Sequence, residues 1–349
     1  MHDLKPTSSL VANLIAKAHS NHQPLFPTLE VTQICNLACK HCYNFDRTKQ
    51  ATPNNQLDHM SSVQIENAIE QLRDLGALWI NLSGGEPLTH PDILSFVKKA
   101  SECHLIPRLK SNGLLFDEQM ADRLKQAGLK GLDISIYGAS EETYEKFTKR
   151  SGKEKAFTAL KIAKDKGFDI SASIIIHKLN LHELGQMISQ CQSLGVKFQL
   201  SDEITERYDK SPGARDYEID GADMKELLAG EYGQLFKYKN HEQGLQCSCA
   251  KTVIGIGFDG SVYPCIGAPI LAGNIKEQSL AEIWKNSPVF TKIRNLKKED
   301  FKSCNSCDFI DHCNRSSGGI YANTGDYCGC DSKTLEFSRI RSILANNQS

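Results

Sequence analysis

The sequence predicts an α/β fold: a parallel sheet wound with helices, followed by a smaller unit rich in cysteine. Three observations carry this. Short apolar or β-branched runs alternate with helical patterns six times between Thr28 and Leu200, and successive strand–helix units imply parallel strands joined by right-handed crossovers. The length of 349 residues suits two domains better than one. Eight of the thirteen cysteines fall between Cys247 and Cys330, where that alternation has ended.

Taken in order, Leu10, Val11, Leu14, Ile15 and Ala18 give Ser8–His19 the spacing of a short helix packed on the body. Thr28–Gln33 alternates as a strand running into a loop. Phe45–Met60 is polar and contains Pro53-Asn54-Asn55, so it reads as a loop. Ser61–Gly76 places Val63, Ile65, Ile69, Leu72 and Leu75 on one helical face, with Gly76 as a C-terminal stop. Strand Leu78–Leu82 follows, then a helix Pro91–Cys103 opened by proline in its first turn. His104–Lys110 is a strand weakened by Pro107. Beyond it come helix Asp117–Gly128, strand Gly131–Ile136, helices Glu141–Lys149 and Glu154–Gly167, and strand Asp169–Ile176. Helix Leu181–Gly195 and strand Val196–Leu200 complete the sixth unit. Asp202-Glu203 and the polar residues to Tyr217 form a linker region, with a helix near Ala222–Leu228. Val253–Cys265 reads as a hairpin turning at Asp259-Gly260, and Lys333–Leu344 as a closing helix.

The chemistry is concentrated in Cys35-Asn36-Leu37-Ala38-Cys39-Lys40-His41-Cys42, three thiols spaced CxxxCxxC just after the first strand. Thiolates hold iron–sulfur clusters, and a four-iron cubane held by three of them keeps one iron without a protein ligand. An open metal position is where chemistry takes place. A zinc knuckle or a surface cysteine cluster is the competing reading of three thiols alone. A second motif weighs against both: Ser83-Gly84-Gly85-Glu86-Pro87 directly follows the second strand.

These two motifs, in this order, resemble the radical S-adenosylmethionine (SAM) enzymes. The resemblance implies a partial (β/α)6 TIM-like barrel, a [4Fe-4S] cluster on Cys35, Cys39 and Cys42, and SAM bound at its open iron. It also implies that the Gly84-Gly85-Glu86 turn holds the methionyl amino group, and a carboxylate beside two glycines suits an ammonium partner. Ser111-Asn112-Gly113 matches the family's turn after strand three, and Ser135 with Tyr137-Gly138 its strand-four region near the ribose. Arg150 stands where a basic residue meets the SAM carboxylate in related enzymes. Plain turn chemistry for Ser111 and Asn112, and a solvated charge for Arg150, are the alternatives. Cys35, Gly84, Ser111, Ser135 and Asp202 all fall at strand C-terminal ends, where barrels of this type place their chemistry.

Composition narrows the class. Lys and Arg total 41 against 42 Asp and Glu, a balance that argues against nucleic acid or an anionic membrane as partner. No apolar run approaches the roughly 18 residues of a membrane span, and the N-terminus has no signal-peptide pattern. Thirteen cysteines without a secretory signal point to metal binding in a reducing, cytoplasmic setting. Cys103 and Cys191 lie within helical patterns and read as inert core thiols.

The remaining eight have specific spacing. Cys249, ten residues, Gly260, four residues and Cys265 form one pattern; Cys304-x2-Cys307-x5-Cys313 forms the next, with Cys247 ahead and Cys328 and Cys330 behind. This is similar to the SPASM domain, the auxiliary-cluster module of many radical SAM enzymes, with zinc the alternative. It implies a small cysteine-rich C-terminal iron–sulfur domain holding one or two auxiliary [4Fe-4S] clusters, and a division into 1–25, 26–235 and 236–349. Eight thiols match two four-cysteine sites. One departure stands out: the family continues Cx2Cx5Cx3C, and the position of its fourth cysteine is Ser317 here. Cys247 or one of Cys328 and Cys330 substitutes, or an iron stays open, or the Ser317 oxygen ligates.

The resemblance implies reductive cleavage of SAM by an external one-electron donor of flavodoxin or ferredoxin type, and hydrogen abstraction from substrate. Auxiliary clusters favour net oxidation, and SPASM proteins most often modify ribosomal peptides or a protein target. A peptide maturase is therefore the leading expectation. A small-molecule enzyme acting on a sugar, aminoglycoside or nucleoside is the alternative, kept open by an N-terminus too short for a fused winged-helix peptide-recognition domain. A non-catalytic electron carrier has no use for the Gly84-Gly85-Glu86 turn.

Overall fold

The computed structural model describes residues 10–48, 58–236 and 247–346. The expected loop at Pro53-Asn54-Asn55 and the helix start at Ser8 lie outside them. Strands β1 (Phe26–Thr32), β2 (Trp79–Gly84), β3 (Ile106–Ser111), β4 (Gly131–Ile136), β5 (Asp169–Ile175) and β6 (Lys197–Ser201) lie side by side in chain order, all parallel. The sheet stays open, a partial barrel. Leu29, Leu82, Leu109 and Leu132 stand in register across four neighbouring strands, each fully buried. That row ties the sheet to its core, because burying a leucine side chain contributes roughly 1.5–3 kcal/mol.

Helices α1 (Leu10–Ser20), α2 (Ser62–Asp74), α3 (Ile93–Glu102), α4 (Glu118–Ala127), α5 (Glu141–Thr148), α6 (Lys153–Asp165) and α7 (Leu184–Ser193) accompany these strands. The start of α2 is fixed by a reciprocal cap: Gln64 N donates to Ser61 Oγ, and Ser61 N donates to Gln64 Oε1. Ile65, Ile69 and Leu72 are buried as the sequence spacing predicts, with Ala68 beside them, whereas Val63, placed on the same face, is exposed. In α1, by contrast, Ala18 is buried while Val11 and Leu14 remain exposed, so only its last turn packs firmly.

Several boundaries differ for local reasons. Pro91 sits outside α3, one residue before the N-cap Asp92. Lys149 ends α5 in a left-handed conformation, φ 63°, instead of extending it. Leu181–Glu183 is a 3-10 turn ahead of α7. Pro107 does not interrupt β3. Its carbonyl accepts from Lys130 N, so the N–H it lacks would face the chain ahead of Gly131, where β4 has not yet begun.

Beyond β6 come α8 (Gly221–Ala229), β7 (Val253–Ile256), β8 (Ser261–Tyr263), β9 (Gly273–Asn274), α9 (Leu280–Asn286), α10 (Pro288–Asn295), α11 (Lys302–Asn305), α12 (Ser317–Thr324) and α13 (Ser332–Asn346). The expected hairpin is β7–β8, antiparallel, with Gly260 at φ 85° in its turn. The sequence did not announce where it docks. β7 pairs parallel to β1, Phe26 opposite Val253 and Leu29 opposite Ile256, so the sheet continues past β1 through β7 and β8 to β9. No helix among the described residues is long and apolar enough to cross a membrane.

Candidate active site

The cysteine loop leaves the C-terminal end of β1, and the glycine turn leaves the adjacent end of β2. Gly85 N donates to Thr32 O at 2.7 Å, and Glu86 N donates to Ile34 O at 2.8 Å, so the turn lies on the backbone leading to Cys35. A Cβ on Gly84 would stand 2.1 Å from Thr32 O, and one on Gly85 2.3 Å from Ile34 O. Both obstacles are backbone, and only two glycines allow this approach.

Cys35, Cys39 and Cys42 line one cavity of about 280 Å³, shared with Ser83, Gly84, Gly85, Ser111, Asn112 and Ser135. Every one of the strand-end residues expected around SAM, apart from Glu86 and Arg150, is brought here. Burial pushes the Cys35 thiol up to about 11 and raises Cys39 well above the ordinary thiol range. Cations oppose that cost: Arg47 Nε donates to Cys42 Sγ at 3.0 Å. The same guanidinium donates to Gln33 O and Gln33 Oε1, both at 2.8 Å. Gln33 Nε2 donates to Glu30 Oε2 at 3.1 Å, and Tyr43 O–H donates to Glu30 Oε1. Burial raises Glu30 to about 7. Among the described residues no three His, Cys, Asp or Glu groups converge on a single metal ion. Three thiols facing one cavity with a guanidinium on the third fit a polynuclear cluster, whose thiolates bind separate irons.

Glu86 differs from its expected role. It is fully buried and does not line the cavity. Its Oε1 accepts from Ser111 Oγ (2.8 Å) and Leu88 N (3.1 Å), and its Oε2 accepts from Asn112 N (2.8 Å). Burial raises it to about 7 against those bonds. Both oxygens are engaged, so Glu86 fastens the β3 turn to the glycine turn and leaves no oxygen facing an ammonium. Asn112 extends the connection, its Nδ2 donating to Asn36 Oδ1 at 2.7 Å within the cysteine loop. Arg150 is exposed and outside the cavity, in keeping with a solvated charge. Asp202 is committed to Arg341 of α13 at 3.1 Å.

Three polar cavity residues escaped the sequence reading, whereas Tyr137, expected near the ribose, does line the cavity. Arg47 looked like part of a polar loop, and Lys110 like an ordinary strand-end residue. His41, between the second and third cysteines, stacks on Phe147 at 4.8 Å and meets Tyr137 edge-on. Burial lowers it to about 4, and its Nδ1 has no hydrogen-bond partner among the described residues. Its position inside the motif was the available signal.

The C-terminal thiols divide into groups. Cys249 hydrogen-bonds with both Cys247 and Cys265. The bond from Cys249, supported by one from the Tyr327 hydroxyl, holds Cys247 down at about 5 despite burial. Ser317 N also donates to Cys247. Cys304, Cys307, Cys313 and Cys330 form the other group, close enough to feel one another's charge. Cys328 is set apart by its strongest charged neighbours, which are Asp326, Arg315, Asp300 and Lys292, and its N–H donates to Asp326 Oδ1. The eight thiols thus divide three, four and one, where the count alone suggested two fours.

Residues 29–191 match the Radical SAM superfamily, and residues 247–308 match SPASM, an iron–sulfur cluster-binding domain. The chain is 29% identical over 329 residues to the AdoMet-dependent heme synthase of Methanosarcina barkeri, covering 85% of this chain and 92% of that one. It is 25% identical to the PqqA peptide cyclase of Granulibacter bethesdensis, covering 82% and 80%. It is also 25% identical to the mycofactocin maturase MftC of Mycobacterium tuberculosis, covering 83% and 77%. Streptococcus suis SuiB bound to S-adenosylmethionine superposes with a TM-score of 0.69 at 17% identity, over 93% of this chain and 81% of SuiB.

Proposed function

Because the chain belongs to the radical SAM superfamily and carries a SPASM domain, we propose that it oxidises a ribosomally made peptide with a SAM-derived radical. The observation that carries this is the meeting of three loop thiols and the Gly84–Gly85 turn in one cavity at the mouth of a partial barrel. The two domains imply a SAM-binding [4Fe-4S] cluster and auxiliary iron–sulfur clusters. When bound, such a cluster would supply the one-electron chemistry that cleaves SAM and yields a hydrogen-abstracting radical.

The chain's own residues provide position and shelter. Cys35, Cys39 and Cys42 hold the cluster, with Arg47 offsetting the charge of the third thiolate. Gly84 and Gly85 offer SAM unobstructed backbone, and Ser111, Asn112 and Ser135 offer hydroxyl and amide groups from the neighbouring strand ends. Glu86 acts behind them as a positioning residue. His41, Tyr137 and Phe147 form an aromatic wall that excludes water. The chain divides into an N-terminal helix to residue 25, a barrel over 26–235 and a cluster domain from 236, which β7 joins to the sheet. An external flavodoxin or ferredoxin supplies the electron.

Similarity over 82% and 83% of this chain to PqqA peptide cyclase and MftC supports a peptide substrate. A second reading, favoured by the 29% identity to heme synthase, is a small-molecule oxidation that ends in haem. Anaerobically reconstituted enzyme, given SAM, a reductant and in turn a short peptide encoded beside it and a haem precursor, separates them. Loss of hydrogen from the peptide, seen by mass spectrometry, supports the first reading. Haem formation with an untouched peptide overturns it.

A further inference from the structure

We propose that the first auxiliary site is a mixed-ligand site: the thiolates of Cys247, Cys249 and Cys265, completed by the side-chain oxygen of Ser317. This rests on the reading that residues 247–330 hold iron–sulfur clusters. It concerns the position at which this chain departs from the family pattern.

No fourth thiol is available. Cys330 stands with Cys304, Cys307 and Cys313, and Cys328 is set apart by its strongest charged neighbours. Ser317 is fully buried, its N–H bonded to Cys247. It opens α12, and the next residue, Gly318, lies so close to the loop after Cys265 that a Cβ would reach Gly267 O at 2.8 Å. Contact with Cys247 on one side and with the Cys265 loop on the other places the serine against the three-thiol group.

Arg315 shapes its chemistry. Arg315 Nη1 donates to Ser317 Oγ at 2.6 Å, and the same guanidinium is anchored on Tyr327 O and Gly329 O and stacked over Phe301. A guanidinium only donates, so the serine oxygen accepts on that side. On cluster assembly the hydroxyl proton passes to solvent as the Fe–O bond forms, as for any protic metal ligand. Arg315 also hydrogen-bonds Cys304 of the second group, so one buried cation serves both sites. Oxygen is a harder donor than sulfur and favours the oxidised, more positive cluster.

The test uses the full chain with Cys35, Cys39 and Cys42 changed to Ala, so that only auxiliary iron remains after anaerobic reconstitution. Reduced protein is titrated with imidazole and followed by electron paramagnetic resonance (EPR), with Ser317→Ala and Ser317→Cys in parallel. With Ser317 in place the spectrum stays unchanged by imidazole. Ser317→Ala acquires an imidazole-dependent signal, and Ser317→Cys raises the midpoint potential of one cluster. An imidazole-dependent change with Ser317 in place means an open iron and overturns the proposal, even if neither variant folds. Identical spectra and potentials in all three proteins overturn it too. Failure of the underlying reading looks different: the protein then binds zinc, or no iron at all.

Discussion

Gly85→Ala tests how the site is assembled. The new methyl carbon would sit 2.3 Å from Ile34 O and 2.6 Å from Gln33 O. Neither oxygen belongs to a flexible side chain, so the glycine turn and the cysteine loop have to move apart. Overpacking of this kind costs about 1–3 kcal/mol. Separation also strains the Gly85 N–Thr32 O and Glu86 N–Ile34 O hydrogen bonds, each worth about 0.5–1.5 kcal/mol net. The sum is about 2–6 kcal/mol, and the displacement falls where Cys35 and the SAM-facing backbone meet. Urea unfolding of the metal-free protein should show that loss, and calorimetry on the reconstituted protein should show SAM affinity reduced at least tenfold. A variant with unchanged midpoint and unchanged SAM affinity would refute the claim that backbone contact between the two turns builds the site.

Other expectations follow from single residues. Glu86, raised from 4.5 to about 7 by burial, binds its proton more tightly folded than unfolded. Its contribution to stability is therefore greatest below pH 4.5 and falls by about 3 kcal/mol as pH rises through 7. Glu86→Gln should flatten that slope in pH-dependent denaturation, and an unaltered slope would assign it elsewhere. Arg150→Ala should leave SAM affinity within about twofold, whereas a tenfold loss, 1.4 kcal/mol, would restore the carboxylate-binding role its sequence position suggested. Cys330→Ala should remove auxiliary iron and Cys328→Ala should not; equal iron loss from both would contradict the three–four–one division of thiols.

What could be read from the sequence was local. Helical stripes such as Ile65–Leu72 and strand runs such as Leu78–Leu82 report their own burial, so the six units and their strand-end loops were legible. The glycine pair was legible as well, because nothing larger fits such a turn. Pairings across long sequence separations were not. β7 joins β1 through residues more than two hundred positions apart, and no periodicity records that. Glu86 beside two glycines suggested an ammonium partner, and its sequence neighbours could not show that Ser111 at the end of β3 and Asn112 just after it hydrogen-bond its carboxylate. Arg47 was hidden in a polar stretch and acquires meaning only beside Cys42. Thiol counting carries no information on grouping: the backbone N–H of Cys328 is held by Asp326 Oδ1, and its strongest charged neighbours are Asp326, Arg315, Asp300 and Lys292.

The central claim, that the Cys35–Cys39–Cys42 loop is the seat of SAM cleavage, has one direct measurement. Reduced, anaerobically reconstituted protein is incubated with SAM and assayed for 5′-deoxyadenosine, beside the variant in which all three cysteines are Ala. The native chain should form 5′-deoxyadenosine and the variant none, although the variant keeps its auxiliary iron. Substantial 5′-deoxyadenosine from the variant would contradict the account.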